Sequence, residues 1–299
     1  MKNKVYIIFF LVIITGVLFS CKSFAAVADV SAGIVGMVDE NAGNAISASA
    51  KAIGSVAEEI NPEQEYYIGR AVAANILGAY KLYTGNPKLT AYLNNICAAI
   101  TINSPRPDIY NGYHVALLDS NEINAFATSG GHILVTRGLV NAAKSEDALA
   151  GVIAHEVAHI QLKHSIKAIK NSRITQAILV TGTSAVGAAT KTDVKELTDV
   201  MNESVGEIVQ TLITNGYSQT QEFEADNTAL SLMAGAGYNP SGLIEMLNSL
   251  SVVQTAGVGF GKTHPSPAKR ITNAKNSAGK YKVTDTSASR NARFAVAAK

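Results

Sequence analysis

The chain gathers its most reactive side chains in one run, His155-Glu156-Val157-Ala158-His159. Residues four apart on an α-helix are separated by about 40° around the axis, so both imidazoles can reach a single metal ion. Val152, Leu162 and Ile166 continue that helical face, which is therefore apolar and expected to be buried. Two neutral histidines in a buried stripe require polar partners, and a shared divalent cation is one. Glu156 stands beside them as a carboxylate able to take a proton from an attacking water and hand it to a leaving amine. Metal-assisted hydrolysis of an amide bond is the chemistry these residue types suit.

A hydrolytic zinc site takes three protein ligands and keeps a fourth position open. The third ligand is expected from a second helix, and Gln221-Glu222-Phe223-Glu224-Ala225-Asp226 offers it. Glu222 and Asp226 share a face, as the histidines do. Glu222 is the expected ligand, with Asp226 accepting a hydrogen bond from the free ring N–H of a ligand histidine. Glu224 lies about 200° around the axis from Glu222 and is the alternative. Four histidines remain. His114 and His132 fall on predicted strands and are expected at the surface. His164, five residues after His159, would lie about 140° away on a continuous helix, which predicts a supporting role rather than a ligand. His264 sits between a glycine-rich stretch, 255–262, and Pro265 and Pro267. It could reach the open position as a fourth ligand, stabilise the oxyanion of a tetrahedral intermediate as a catalytic group, or only lead into a helix.

These residues need elements to hold them. Pro62 opens a predicted helix over 62–80, and Gly85-Asn86-Pro87 separates it from another over 88–100. Apolar patterning bounded by turn residues predicts strands over 113–119 and 132–136. Ser145 caps a long helix expected over 147–170. The apolar stretch 174–190 reads as an amphipathic hairpin, followed by helices over 194–213, 219–234, 241–253 and 268–276. The fold class is α+β and mainly α-helical, with a small sheet expected to be antiparallel. If its strand 131–136 is an edge beside the metal, an extended peptide can pair with it by strand addition. That reading makes Gly131, His132, Ile133 and Leu134 the substrate-binding residues and predicts broad specificity for unfolded segments.

Of 299 residues, 47% are hydrophobic and 16% charged, and the formal net charge is +2. The bases are scattered and Trp is absent, which excludes nucleic acid as a partner. Lys2 and Lys4 precede an apolar run from Val5 to Leu18, the layout of a signal peptide. The run ends in Leu18-Phe19-Ser20-Cys21, similar to a lipobox, which makes Cys21 the expected lipidation site. Cleavage after Ser23-Phe24-Ala25 is the alternative. Cys97 keeps the helical apolar spacing of Leu93, Ile96 and Ile100 and reads as a buried core residue. The organisation expected is a signal peptide over 1–20, a lipidated tether over 21–58, a metallopeptidase domain over 59–277 and a disordered tail over 278–299.

Five stretches carry a family resemblance: Asn124-Ala125-Phe126-Ala127, Gly130-Gly131 with Val135-Thr136-Arg137-Gly138-Leu139, the His155–His159 run, Glu222-Phe223-Glu224-Ala225-Asp226, and His264-Pro265-Ser266-Pro267. Together they resemble the gluzincin zinc metallopeptidases that include HtpX, the Ste-type CaaX protease, LoiP and BepA. The lipobox makes the LoiP-like lipoproteins the nearer branch. The resemblance implies a zincin-like core, one zinc per chain on His155, His159 and Glu222, and Glu156 as the catalytic acid/base. It implies an endopeptidase acting on unfolded or misfolded envelope polypeptides. It also implies a lipid-borne attachment to the bacterial outer membrane, facing the periplasm. The alternative is a chaperone-like assembly factor of the outer membrane whose zinc site is gated or silenced.

Overall fold

The computed structural model describes residues 62–169, 205–206, 208–253, 263–264, 267–282 and 285–298. All belong to the unit formed by residues 60–172 and 202–299. The expected signal peptide, Cys21, the tether, the hairpin over 174–190, most of the helix over 194–213 and the glycine-rich stretch lie outside the described residues.

Two helices come first, α1 (Pro62–Ala79) and α2 (Pro87–Thr101). The Asn86 side chain accepts a hydrogen bond from the Leu89 amide at 3.0 Å and so caps α2. Leu93, Ile96, Cys97 and Ile100 form its buried face. Three strands follow, β1 (His114–Leu118), β2 (Ala125–Thr128) and β3 (His132–Thr136), and then a short helix, α3 (Arg137–Ala142).

The sheet differs from the expectation in two ways. It is mixed rather than antiparallel, and β3 lies at its centre, parallel to β1 and antiparallel to β2. The reason is the turn between β2 and β3. Gly130 and Gly131 take φ values of 78° and 96°, which L side chains rarely adopt, so the chain reverses within three residues and 125–128 must pair with β3. The segment expected to be a connection is thus a strand, and it occupies the edge. Thr136 secures its start, accepting from the Asn124 amide at 3.0 Å and donating to the Glu122 carbonyl at 2.6 Å.

Helix α4 (Glu146–Gln161) is the axis of the core. The Ser145 hydroxyl caps it through the Ala148 amide at 3.1 Å. Every residue from Glu146 to Ile160 is buried, so this helix is surrounded rather than amphipathic. Around it pack α2, β2, α6 (Gln219–Gly235) and α7 (Ser241–Val253). The approach to α7 is close: a Cβ on Gly151 would lie 2.8 Å from Leu243 Cα, and one on Gly242 would lie 2.3 Å from the Asp147 carbonyl oxygen.

Expected to continue to residue 170, α4 instead stops at Gln161, and a separate helix α5 (His164–Ile169) begins after it. Lys163 between them adopts a left-handed φ of 56°. Its ammonium pairs with buried Glu65. Arg106 pairs with the same carboxylate at 3.0 Å and donates to the carbonyls of Ile160 and Gln161, which the end of a helix leaves without intrahelical partners.

A capping box of Ser218 and Gln221 opens α6. The last helices are α8 (Pro267–Ala278) and α9 (Ser287–Ala297). The second corrects the expectation of a disordered tail. It is bound by charge: Arg290 lies 2.9 Å from Asp147, and Arg293 lies 2.5 Å from Glu146. Hydrophobic periodicity, the basis of the sequence reading, does not register such pairs. No described helix is long and apolar enough to cross a membrane.

Candidate metal centre

His155 and His159 stand one turn apart on α4, fully buried, with their Nε2 atoms 3.0 Å from each other. Across from them, α6 brings Glu222 within 3.5 Å of both. His264 completes the group. Its Nδ1 lies 3.3 Å from His155 Nε2 and 3.1 Å from Glu222 Oε1. The ligand atoms of these four residues fall within 4.8 Å of one another, and all four are buried.

The donor set fits a metal ion on two counts. Four ligands at tetrahedral positions about 2.0–2.1 Å from a zinc stand about 3.3 Å apart; five of the six separations here, each taken to the Glu222 oxygen nearer the partner, span 3.0 to 3.5 Å, and all lie within 4.8 Å. The chemistry agrees. Asp226 Oδ1, an acceptor, lies 3.0 Å from His155 Nδ1, so that nitrogen keeps a ring proton and Nε2 is the inward nitrogen whose lone pair a cation would take. A carboxylate and imidazole lone pairs converging in a buried interior require positive charge at their centre.

The ionisation of the residues repeats that demand. Burial and the Arg270 guanidinium lower the pKa of His155, yet Asp226 and Glu222 hold it up to about 9. Burial holds His159 well below its ordinary value. Against its burial, Glu222 is drawn well below the usual carboxylate range by Arg270 and His264. The histidine pair thus holds a single proton where a cation would sit.

Glu156 faces this group. Both of its carboxylate oxygens are buried and have no hydrogen-bond partner among the described residues, and His264 Nε2 stands 3.6 Å from one of them. Burial raises its pKa above the usual carboxylate range.

Two residues of the site escape the sequence reading. Arg270 of α8 is fully buried and grips Asp226 with two donors, Nε to Oδ2 at 2.8 Å and NH2 to Oδ1 at 2.7 Å. Its NH1 lies 2.8 Å from Glu222 Oε2. Glu156, Glu222 and Asp226 against a divalent cation would leave one negative charge, which this guanidinium neutralises. The available signal was a charge bookkeeping of that kind together with Ala274, one turn on, as the apolar mark of the inward face of α8. Tyr217 stacks on His159, with ring centroids 4.1 Å apart and planes at 18°. Its backbone amide donates to Thr263 at 3.2 Å, which ties the segment before α6 to the one carrying His264.

The remaining expectations resolve as follows. Glu224 does not reach the group; its Oε2 lies 3.2 Å from His164 Nε2, and its side chain is half exposed. His164 is fully buried, and its Nδ1 lies 2.9 Å from His159 Nδ1. The break at Lys163 swings His164 back from the 140° offset of a continuous helix. Gly131, His132, Ile133 and Leu134 are not on an exposed edge. Residues 132–135 pair with β1 on one side and β2 on the other, so their main chain is not available to a peptide, and the substrate-binding reading of β3 is corrected.

Known proteins share this arrangement of sequence. The chain is 25% identical over 224 residues to the beta-barrel assembly-enhancing protease of Escherichia coli (strain K12), covering 72% of this chain and 44% of that protein. It is 30% identical over 189 residues to the mitochondrial metalloendopeptidase OMA1 of Schizosaccharomyces pombe, covering 61% and 51%. It is 28% identical over 152 residues to metalloprotease LoiP of Escherichia coli (strain K12), covering 50% and 57%. The chain therefore spans about half the length of these curated relatives. Residues 86–278 match Peptidase family M48, a span that holds both histidines of α4, Glu156, Glu222, Asp226, His264 and Arg270. The chain belongs to peptidase family M48.

Proposed function

We propose that this protein is a zinc-dependent endopeptidase that hydrolyses extended or unfolded polypeptides in a bacterial cell envelope. The observation that carries the reading is Glu156, buried and without a hydrogen-bond partner among the described residues, beside four ligand atoms that converge within 4.8 Å. His155, His159 and Glu222 would hold the zinc, with Asp226 and Arg270 fixing two of these ligands. A bound zinc would supply Lewis-acid polarisation of the scissile carbonyl and of the attacking water. Glu156 accepts a proton from that water as its oxygen bonds to the carbonyl carbon, and delivers it to the amine nitrogen as the C–N bond breaks. A carboxyl whose pKa is raised by burial is suited to both transfers near neutral pH.

Strand β2 forms an edge of the sheet and packs on α4, with all four of its residues buried. Thr263 donates to Asn124 Oδ1 at 3.1 Å, at the start of that strand, so the His264 segment borders the same edge. The names of the relatives support the envelope setting: one is a beta-barrel assembly-enhancing protease. Lipidation at Cys21 and an outer-membrane destination belong to this proposal, and a globomycin-sensitive mobility shift tests them.

The place of His264 supports a gated form of the site. Its Nδ1 lies 3.3 Å from His155 Nε2 and 3.1 Å from Glu222 Oε1, where it would take up the fourth position that hydrolysis keeps open, so it would have to withdraw before substrate binds. Glu156→Gln is the test of the main reading: casein cleavage should fall at least 100-fold while one zinc per chain is retained. Unchanged cleavage would refute the assignment. His264→Ala separates the roles left open for that residue. Faster cleavage marks a gate, and slower cleavage marks a group that assists the reaction.

A further inference from the structure

We propose that His164 and Glu224 form a relay that sets the tautomer of His159, and so act as positioning residues for the metal. The inference rests on reading His159 as a ligand.

Consider the two nitrogens that face each other, His159 Nδ1 and His164 Nδ1, 2.9 Å apart. One must carry a proton and the other a lone pair, and the pair alone does not decide which. The decision comes from the far side of His164. Its Nε2 lies 3.2 Å from Glu224 Oε2, and an ionised carboxylate only accepts. His164 Nε2 therefore carries the hydrogen, and His164 Nδ1 accepts from His159 Nδ1–H. The lone pair of His159 then falls on Nε2, which faces His155 Nε2 at 3.0 Å and Glu222 at 3.5 Å. Without Glu224 to hold it, His164 could donate instead. His159 would then turn an N–H toward the metal position, where no ligand can form.

The two ligand histidines of α4 are thus served differently. His155 meets a carboxylate directly, Asp226 at 3.0 Å. His159 meets one through an intervening imidazole. Glu222 and Glu224 sit two apart on α6 and face different ways, one into the site and the other toward α5. The left-handed Lys163, held by Glu65, brings the first residue of α5 beneath His159. Tyr217 stacked on the His159 ring keeps that ring in the plane the relay needs.

The test measures zinc affinity, with zinc alone as the probe, by competition with a chromophoric chelator. His164→Leu should weaken binding about 10–100-fold. His164→Asn, whose amide oxygen can stand where Nδ1 stood and accept from His159, should restore most of it. Glu224→Leu should weaken binding less, and the double variant no further than His164→Leu, because both act through one chain of bonds. In the metal-free Glu224→Leu protein, ring ¹⁵N shifts of His159 should report proton transfer from Nδ1 to Nε2. Additive losses, a His164→Asn protein as weak as His164→Leu at an unchanged Tm, or an unaltered His159 tautomer would each overturn the relay. His159→Ala separates the two readings. If it binds zinc normally, the ligand assignment fails; if it loses zinc while His164→Leu does not, only the relay fails.

Discussion

At the scale of single residues the site is a problem of charge. Arg270 stands between two buried carboxylates of α6, donating to Asp226, which in turn meets His155 of α4, and pairing by charge with Glu222. Removing one partner of a buried ionic group leaves the others uncompensated, at a cost of roughly 3–5 kcal/mol. Arg270→Leu should therefore lower unfolding stability by about that amount in denaturant titrations and abolish zinc retention. Arg270→Lys should recover little, since one ammonium cannot meet Asp226 with two donors. The pH dependence follows from His155. In the metal-free protein its pKa rises from 6.5 to about 9, so its contribution to stability is complete below about pH 6.5 and disappears as pH climbs through 9. His159, held low, acts oppositely, and its neutral buried form loses stability below about pH 6.5. Thermal melts of the metal-free protein should thus be highest near pH 6.5. Zinc affinity should rise between pH 7 and 9, by about tenfold per unit, because binding displaces the His155 proton. A pH-independent affinity across that range would contradict this ionisation.

Among the elements, α4 imposes the strictest demands, since it is enclosed on all sides. Its N-terminal turn is held by α9, where the two arginines are unequal. The Arg293 side chain is 56% exposed against Glu146, whereas Arg290 is 4% exposed against Asp147. Exposed pairs contribute about 0–1 kcal/mol and buried ones much more when broken. Arg290→Ala should accordingly lower Tm by several times the loss caused by Arg293→Ala, and equal losses would argue against the buried pair. Gly242 tests the crossing of α4 and α7. A methyl group there would meet the Asp147 carbonyl oxygen at 2.3 Å, so Gly242→Ala should cost roughly 1–3 kcal/mol, read as a shift in denaturant midpoint.

Across the whole molecule, the centre draws on residues more than a hundred positions apart, from 155 on α4 to 264 and 270 near the end. A ligand that binds only this folded arrangement stabilises it in proportion to its saturation. Chelation should therefore lower the Tm of the zinc-loaded protein, and His159→Ala should remove that sensitivity. The pairing of His155 with His159, of Glu222 with Asp226, and the nearness of Glu156 were legible from spacing alone, because a helix converts a separation of four residues into a shared face. The cap at Ser145 and the breaker Gly85-Asn86-Pro87 made the starts of α4 and α2 legible for a similarly local reason. What no local rule contains is which distant groups meet. The central place of β3 depends on a hairpin partner of weak strand character. The end of α4 depends on Glu65 and Arg106. The meeting of Arg270 with Asp226, and of His164 with Glu224, answers the need of buried charges and ring nitrogens for partners, and only the packing of α5, α6 and α8 around α4 supplies them. Helix spacing in the sequence marked the candidate ligands and base; the tertiary structure decided their hydrogen-bond partners, their neutralisation and the mixed order of the sheet, because each depends on contacts between segments far apart in the chain.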